Sequence, residues 1–560
     1  MRRRLCLLLG VGLAVVLTAP AHAAVTVTGF TVVPASKQGG GHPNVTITQT
    51  FDYGGDADDS VKDAFVRLQP GLLGNPQNAA FCSQAQFQDD ECPASSVVGS
   101  VEVTAIARIV VLPVTLTNPG VVYNLAPTGS EPARVGVVVE AAGGLSKIFL
   151  QSPVFIRKGA DGYGLESTFA DQPRDSNGIP IQITKIALTF NGQASKGPFM
   201  RMPTSCAPGT SLTRANSWDA MTTFSQRTFG MTPTGCDRLA FRPSASGSMG
   251  APGITGRGEF PPVATTLKFN PEEAALSRAE VTLPSALSPN LSSVNRACTR
   301  AQADASVCPE TSRVGTAIID SPLQPTPVRG GVYIADNSDA ALPGLVVMLP
   351  APVGVRLDGI IEIGAAGIEN VFAGNPDLPV QTFTLALDAG ESKGALMLNK
   401  DLCGDDTDRT MTVSLLAHNG KTSTFEQELA TPGCDPVATV AIRRRGKRAK
   451  LVLKMKAGRD GPGLTGFTVK LPKTLSRGKA RPRLRADGRS MRARTRKRRA
   501  SRTFPNEVRS ATLVWRGLRV GRRLKRNTTI RLSMKDSRPN TTSLKQKVRV
   551  RGKFPKPRRR

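Results

Sequence analysis

Short runs of alternating apolar and polar residues recur along almost the whole chain. Examples are 45–51 (VTITQTF), 181–190 (IQITKIALTF) and 450–456 (KLVLKMK). Alternation with a period of two places one face of an extended chain against a core and the other toward water. Gly, Pro, Asn and Asp separate these runs at short intervals, which is typical of β-sandwich proteins. The pattern predicts an all-β chain, with helix confined to short segments inside loops.

Two long segments of the chain repeat each other at an offset of 216 residues. CSQAQFQDDECPASSVVGS, from Cys82, matches CTRAQADASVCPETSRVGT, from Cys298, at eight of 19 positions. A second pair of cysteines follows in each copy; its first Cys comes 10 residues after the Lys of a repeated Ser-Lys-Gly (195–197 and 392–394), and its members are separated by 30 residues in one copy and 31 in the other. We therefore expect two homologous units, each with four cysteines.

A weaker echo links both copies to the C-terminal part of the chain. VRLQPGL at 66–72, VTLPSAL at 281–287 and VKLPKTL at 469–475 each follow an alternating run. One interpretation is that the C-terminal part is a shorter relative of the front half of each copy. The alternative is that V-x-L-P is simply a common end of a strand.

The predicted fold class is all-β: tandem disulfide-bonded β-sandwich-like repeats followed by a basic immunoglobulin-like β-sandwich. Whether each repeat is one sandwich or two is left open. A segment rich in Ser, Gly and Pro separates the copies and is interpreted as a linker. The predicted parts are a signal peptide (1–23), β repeat unit 1 (24–243), the linker (244–257), β repeat unit 2 (258–437), the basic β domain (438–550) and a disordered basic tail (551–560).

The N-terminus has the pattern of a secretory signal peptide. Three arginines at 2–4 precede an apolar run at 5–17, and 21–23 (AHA) is a small-x-small cleavage site. The apolar run is shorter than the roughly 20 residues of a membrane-spanning helix, so an uncleaved anchor is the less favoured alternative. We expect a mature chain that begins at Ala24, has no transmembrane segment and is secreted or held at the cell surface.

Eight cysteines remain after this predicted cleavage. An even number behind a signal peptide predicts disulfides, and the absence of C-x-x-C spacing disfavours a structural zinc site. Four cysteines in each copy allow three pairings, and sequence alone does not choose among them. We favour the short-range set: Cys82–Cys92, Cys206–Cys236, Cys298–Cys308 and Cys403–Cys434.

Positive charge is concentrated at the C-terminal end. Residues 441–560 hold 43 Lys and Arg against four Asp and Glu, whereas residues 24–440 hold 28 basic and 39 acidic residues. This division predicts salt-sensitive contact with an anionic envelope polymer or with lipid head groups; a solvated basic face is the alternative. Nucleic acid is disfavoured because residues 441–560 hold only four aromatic residues. The predicted contact residues are Arg492, Arg494, Arg496, Lys497, Arg498, Arg499, Arg522, Arg523, Lys525, Arg526, Arg558, Arg559 and Arg560.

Catalytic motifs are absent from the sequence, and no cofactor or metal is predicted. His42 lies in a Gly-rich turn and His418 precedes the hairpin signal Asn419-Gly420, so both are expected to be surface turn residues. Paired carboxylates are invisible in sequence, which keeps an exported polysaccharide hydrolase as an alternative to a non-enzymatic protein. A calcium- or ligand-binding adhesion module is a third possibility, based on two acidic clusters: Asp52, Asp56, Asp58 and Asp59, and Asp405, Asp406 and Asp408.

Several short motifs of the first copy resemble a known family. These are QPGLLGNP (69–76), VYNLAP (122–127), EPARVG (131–136) and PFMRMPTSC (198–206). They resemble uncharacterised exported, disulfide-containing β-repeat proteins of high-GC actinobacteria, which often end in a Lys/Arg-rich β-sandwich domain. The second copy has lost the EPAR and PTSC elements. The resemblance implies export and β architecture, and it carries over no catalytic residue.

Overall fold

Strands account for most of the residues that the structure describes, which confirms the predicted all-β class. The structure, a computed structural model, describes residues 25–109, 112–141, 146–336, 342–364, 367–478, 481–496, 498–521, 524–538 and 541–552. The predicted signal peptide and the tail from residue 553 onward lie outside these residues. The helices are short: α1 (Gln84–Gln88), α2 (Leu291–Val294), α3 (Arg300–Asp304) and single 3-10 turns at Pro76–Asn78, Ala94–Ser96, Cys236–Arg238 and Glu310–Ser312.

Sixteen strands are described between residues 26 and 231. They are β1 (Thr26–Pro34), β2 (Val45–Asp52), β3 (Val61–Arg67), β4 (Leu73–Gly74), β5 (Val97–Ile109), β6 (Leu112–Leu125), β7 (Ala133–Ala141), β8 (Ser146–Gly159), β9 (Gly162–Phe169), β10 (Asp175–Ser176), β11 (Ile179–Phe190), β12 (Gln193–Ala194), β13 (Gly197–Pro198), β14 (Met200–Arg201), β15 (Gly209–Ser217) and β16 (Ser225–Met231). The main sheet has the order β1-β2-β11-β5-β6-β7-β8-β9-β3-β15-β16. Its two ends meet, because Val27 N–H donates to Ser225 Oγ (2.9 Å) and Arg227 Nε donates to Val27 O (2.7 Å). The sheet is closed, and we call it the first roll.

The second copy forms the second roll, from strands between residues 244 and 428. They are β17 (Ser244–Met249), β18 (Val263–Lys268), β19 (Leu276–Thr282), β20 (Leu287–Pro289), β21 (Arg313–Asp320), β22 (Val328–Ala335), β23 (Gly344–Met348), β24 (Arg356–Gly364), β25 (Gly367–Phe372), β26 (Thr382–Leu387), β27 (Leu396–Leu398), β28 (Thr410–Ala417) and β29 (Thr422–Glu428). The sheet order is β17-β18-β26-β21-β22-β23-β24-β25-β19-β28-β29, which repeats the order of the first roll strand for strand.

The segment assigned to a linker is partly strand. Ser244–Met249 pairs antiparallel with β18 along its whole length and forms the first strand of the second roll. Its sequence, SASGSM, has weak strand propensity, so pairing and packing against the roll override local preference. Met249 at its end is fully buried. The prediction of a linker at 244–257 is therefore wrong for its first six residues.

The C-terminal strands form a two-layered structure that we call the basic sandwich. They are β30 (Val437–Arg445), β31 (Arg448–Lys456), β32 (Leu464–Lys470), β33 (Leu475–Ser476), β34 (Arg483–Ala486), β35 (Arg489–Arg492), β36 (Arg494–Arg496), β37 (Arg499–Val508), β38 (Ser510–Val520), β39 (Asn527–Asp536) and β40 (Thr541–Arg551). The first layer is β35-β34-β38-β31-β30, the second is β40-β39-β32-β37-β36, and a parallel β30–β40 pair joins them. Side chains of both layers enclose one apolar core, with Trp515 at its centre.

All three units share one topology. From β30 the sandwich order is β30-β31-β38-β34-β35, followed by β36-β37-β32-β39-β40. This strand order matches the order of both rolls if β7 and β23, which have no equivalent in the sandwich, are left out. The sheet of the sandwich is open where that strand is missing, between β35 and β36. The first and last strands of every unit run parallel where they meet, as at Gln38 with Thr234, Ser248 with Ala430, and Ile442 with Val550.

The V-x-L-P echo marks the same turn in each unit. The amide of Leu72 donates to Gln69 O (3.3 Å), that of Leu287 to Pro284 O (3.0 Å) and that of Leu475 to Pro472 O (3.0 Å). All three leucines are buried. The basic sandwich is thus a structural relative of the rolls that lacks one strand and the cysteines.

Four disulfides join the short-range pairs favoured from the sequence: Cys82–Cys92, Cys206–Cys236, Cys298–Cys308 and Cys403–Cys434. Two of them close matching loops around α1 and α3. Each of these helices begins with a capping box, formed by Ser83 with Gln86 and by Thr299 with Gln302. The duplicated sequence therefore folds into duplicated local structure.

The units pack against their neighbours through buried polar contacts. Asp377 of the second roll accepts hydrogen bonds from the Thr204 amide and hydroxyl, both 2.7 Å, and from the Ser205 amide of the first roll. Arg538 of the basic sandwich donates to Cys434 O and contacts Asp435 of the preceding segment. Burial opposes the charge on Arg538, but Asp536 and Asp435 outweigh it and raise the pKa of Arg538 above its ordinary value.

Candidate polyanion-binding surface

The predicted contact residues that are described lie at the open end of the basic sandwich and in the loop before β39. Arg492 ends β35, and Arg494 and Arg496 begin and end β36. Arg499 begins β37, whereas Arg498 precedes it and is half-buried. Lys525 and Arg526 are exposed in the loop. Lys497, Arg522, Arg523, Arg558, Arg559 and Arg560 lie outside the described residues.

Strand pairing in the second layer aligns five basic residues in one row across five strands. Each is the direct cross-strand partner of the next, from β36 through β37, β32 and β39 to β40. All five are exposed. We call this set the cation row: Arg496, Arg499, Lys470, Arg531 and Lys545.

The core fixes the outward direction of this row. Ala500, Val469 and Leu532 alternate with cation-row residues on β37, β32 and β39, and all three are buried against the sandwich core. Successive side chains of a strand point to opposite faces, so burial of these residues places the cations in solvent. A shift of register by one residue would exchange the two sets, which makes the row a defined feature of the fold.

A second row on the same face carries hydroxyl groups. On each strand we take the residue that lies two positions from the cation-row residue. These residues are also cross-strand partners of one another: Arg494, Ser501, Thr468, Ser533 and Ser543. Hydroxyls both donate and accept hydrogen bonds. The outer face of the second layer therefore presents a line of positive charge beside a line of four hydroxyl groups that begins with one further cation, Arg494.

Among the residues that the structure describes, no carboxylate forms an ion pair that would neutralise the cation row. The four acidic side chains of residues 441–560 are engaged elsewhere: Asp460 accepts from the Gly253 amide, Asp487 from the Arg509 and Ser510 amides, Glu507 from the Gly463 amide, and Asp536 from Arg538. The row is thus uncompensated positive charge.

The outer face of the first layer is less regular in charge. Three exposed cations, Arg445, Arg448 and Arg519, are direct cross-strand partners on β30, β31 and β38. A second set alternates between hydroxyl and charge across five strands, as Ser490, Arg485, Thr512, Lys454 and Thr439. The two faces of one domain thus differ in the arrangement of charge, although both are basic.

The common topology identifies the same row in the two rolls. In the second roll it consists of Glu362, Glu369, Thr282, Thr412 and Glu426. In the first roll it consists of Phe155, Glu166, Arg67, Leu212 and Thr228. Glu166 and Arg67 there form an ion pair. The fold therefore accepts acidic, neutral or basic residues at these positions, and the cation row is specific to the third unit.

Three members of the cation row were not among the predicted contact residues. Lys470, Arg531 and Lys545 are isolated in sequence, whereas the prediction followed dense runs of Lys and Arg. They become neighbours of Arg496 and Arg499 only through strand pairing. The repeated V-x-L-P pattern was the one sequence signal that pointed to a cation-row residue, because Lys470 follows the Val in its third occurrence and so lies on the outward face of a strand.

The predicted acidic clusters are only partly brought together. One carboxylate oxygen each from Asp56, Asp59 and Asp219 lies within 4.8 Å of the others, so these three could hold a cation. Arg174 also contacts Asp219, at 3.4 Å. Of the other predicted residues, Asp52, Asp58, Asp405 and Asp406 join no such group, and Asp408 accepts hydrogen bonds from Ser285 and Thr410.

His418 lies in the hairpin turn between β28 and β29 and His42 in the loop between β1 and β2, as expected, but each is half-buried and held by a contact, which corrects only the expectation of surface exposure. His42 Nδ1 lies 2.7 Å from Met200 O, and Nε2 lies 3.2 Å from a carboxylate oxygen of Glu272. His418 Nε2 lies 2.9 Å from Asn375 O. These partners are carbonyls and a carboxylate, so neither contact pairs a histidine with a nucleophile.

Two apolar cavities, of about 120 and 130 Å³, lie on either side of Leu323 and Gln324, where the rolls meet. Among the described residues, the lining of one includes a single carboxylate, Glu273, and that of the other includes Glu166. A glycosidase of the common type needs two carboxylates flanking its substrate. The lining of these cavities does not provide such a pair.

No helix formed by the described residues combines the length and apolar character needed to cross a bilayer.

The fold and site define a class: tandem, disulfide-bonded all-β units that end in a basic β-sandwich. No family model and no curated protein matches the chain. Similar solved structures include the Enterococcus faecalis adhesin ACE (9% identity, 55% of this chain and 95% of that chain, TM-score 0.17) and a putative membrane-anchored protein from Corynebacterium diphtheriae (8%, 81% and 95%, 0.15). A biofilm-associated protein B domain is also similar (9%, 72% and 86%, 0.15). TM-scores this low define neither fold nor function.

Proposed function

We propose that this chain is an exported, non-enzymatic protein of the cell envelope or surface. Its basic sandwich contacts an anionic polymer or lipid head groups, and the two rolls are displayed for binding or as structural spacers. We also propose that the three closed or layered sheets correspond to the three domains expected from the sequence. The two rolls and the basic sandwich then have separate roles.

The observation that carries the proposal is the segregation of charge between units of one fold. Residues 441–560 carry 43 basic and four acidic residues, and those four are all engaged in local contacts. Dense uncompensated charge destabilises a domain through self-repulsion, and it raises the rate and strength of association with polyanions. Four disulfides and the signal-peptide pattern support an oxidising, extracytoplasmic location.

Cosedimentation with envelopes of the source organism tests the proposal. Chain 24–560 is expected to pellet at low salt and to be released at high salt, because exposed charge interactions are screened. Chain 24–440, which lacks the basic sandwich, is expected to remain in the supernatant. Equal pelleting of the two chains would contradict the proposal and would assign envelope binding to the rolls.

A further inference from the structure

We infer that the cation row is a linear binding track for one extended chain of an acidic polysaccharide, which lies across the five strands of the second layer. This inference rests on the proposed function and names its ligand class and site. Four features support this ligand class: the spacing of the row, the hydroxyl row beside it, the burial of the aromatic residues and the charge of the same row in the rolls.

The spacing suits a repeating, extended polyanion. Neighbouring strands lie about 4.8 Å apart, so the five cations repeat at about that interval over roughly 19 Å. A polymer of uronic acids carries one carboxylate on each sugar, and in an extended chain the sugar repeat is comparable to the strand spacing. One such chain can lie beside all five strands without bending, and the long side chains of the cation row can reach carboxylates that point to either side of it.

The hydroxyl row suits the rest of a sugar. Ser501, Thr468, Ser533 and Ser543 lie two residues along their strands from the cations, or roughly 6.8 Å away. Hydroxyls at that distance can donate to and accept from the neutral hydroxyls of a sugar whose carboxylate contacts the cation row. A simple polyphosphate presents acceptors only, so it could accept from these hydroxyls but would leave their acceptor capacity unused.

The aromatic residues argue against single-stranded nucleic acid. Sequence-tolerant binding of single strands uses exposed aromatic rings on which bases stack. In the described part of the basic sandwich, Phe467 and Phe504 are 4% exposed and Trp515 is fully buried. The face beside the cation row therefore offers hydrogen bonds and charge but no stacking platform.

The charge of the row is not required by the fold. The second roll carries Glu362, Glu369 and Glu426 at three of the five equivalent positions. Like charges directly opposite each other on adjacent strands are destabilising. Five aligned cations are therefore a costly arrangement that the topology does not impose, and an aligned anionic ligand would relieve it.

Binding measurements on chain 24–560 with purified oligogalacturonates of two to ten units test the inference. The association constant is expected to rise steeply with length up to about five units, where one carboxylate can face each cation, and to rise little beyond. Neutral dextran of similar length serves as the uncharged probe. An oligodeoxynucleotide of equal charge serves as the nucleic-acid probe.

Two variants with the same change in charge separate the row from general attraction. The row variant is Lys470→Gln, Arg499→Gln and Arg531→Gln; the matched control is Lys454→Gln, Arg485→Gln and Arg519→Gln, all exposed on the first layer. The row variant is expected to bind oligogalacturonate at least tenfold more weakly, as three exposed charge contacts allow, and the control to change roughly twofold or less.

Each outcome has a distinct meaning. Equal losses in the two variants would overturn the row as the site and leave polyanion contact standing. Tighter binding of the oligodeoxynucleotide than of an oligogalacturonate of equal charge would overturn the glycan assignment in favour of nucleic acid. Failure of the native chain to bind any anionic probe would overturn the proposed function as well. Both variants change exposed side chains, and unchanged circular dichroism spectra verify folding.

Discussion

At the scale of single residues, a buried carboxylate joins the two rolls. Asp377 is 4% exposed and accepts three hydrogen bonds from Thr204 and Ser205, which belong to the PTSC motif of the first copy. Arg201 lies nearby, and burial lowers its pKa while Asp377 and Glu272 act in the opposite sense. The PTSC motif thus forms part of the interface between the two rolls, which gives a physical reason for its presence in the first copy.

Replacement of Asp377 by Asn tests this interface. Asp377→Asn keeps the shape but removes the charge that strengthens three hydrogen bonds, and it places an NH2 group against backbone donors. We expect a loss of about 2 kcal/mol in the free energy of unfolding, measured by urea denaturation followed by circular dichroism.

The exposed Asp161 provides the control. Asp161→Asn is expected to change stability by about 0.5 kcal/mol or less, as surface substitutions usually do. An equally small effect of Asp377→Asn would show that the carboxylate does not hold the rolls together.

At the scale of elements, the like charges of the cation row lower the stability of the basic sandwich. Lys470 has Arg499 and Arg531 as its cross-strand neighbours, whereas Arg67 at the equivalent position of the first roll has Glu166. Cross-strand pairs of opposite charge stabilise a sheet and pairs of like charge destabilise it, each by roughly 0.2–1 kcal/mol. The first roll therefore has a stabilising pair of opposite charges at a position where the basic sandwich has a destabilising pair of like charges.

Replacement of one cation-row residue by the acidic residue found at the equivalent position of the first roll tests this effect on stability. Arg499→Glu places an acidic side chain opposite Lys470, as in the first roll. We expect the basic sandwich to become more stable by roughly 0.5–1 kcal/mol at low salt, in urea unfolding followed by tryptophan fluorescence. Binding to acidic glycans is expected to weaken in the same variant.

Salt provides the control for this prediction. At about 1 M salt the Debye length falls to about 3 Å, so the gain in stability should shrink. A loss of stability at low salt would contradict the view that the row is strained by repulsion.

Much of the element-level structure could be predicted from the sequence, because its signals are local or repeated. Alternation predicted the strands, and duplicated cysteine spacing led to the favoured disulfide set. The cation row could not be predicted, because Lys470 and Lys545 are separated by 75 residues and become neighbours of the other cations only through pairing in β32 and β40. Ser244–Met249 was misjudged because its strand depends on β18 and not on its own composition.

At the scale of the whole molecule, the two rolls and the basic sandwich share one topology but differ in surface charge. A nearly neutral first roll and an acidic second roll, both disulfide-bonded, precede a basic sandwich that has lost one strand and the cysteines. Shared topology keeps the positions of the surface rows, so a change of side chains alone converts a neutral or acidic row into the cation row. We therefore propose that polyanion binding belongs to the third unit and that the rolls make other contacts.

The salt dependence of binding tests this account most directly. The logarithm of the association constant for a long acidic glycan should fall linearly with the logarithm of NaCl concentration, with a slope set by the number of cations in contact. If the cation row is the site, the slope of the triple Gln row variant should be shallower by about two, while the first-layer control keeps nearly the slope of the native chain. Equal slopes for the native chain and the row variant would contradict the account, because they would show that these cations do not touch the polymer.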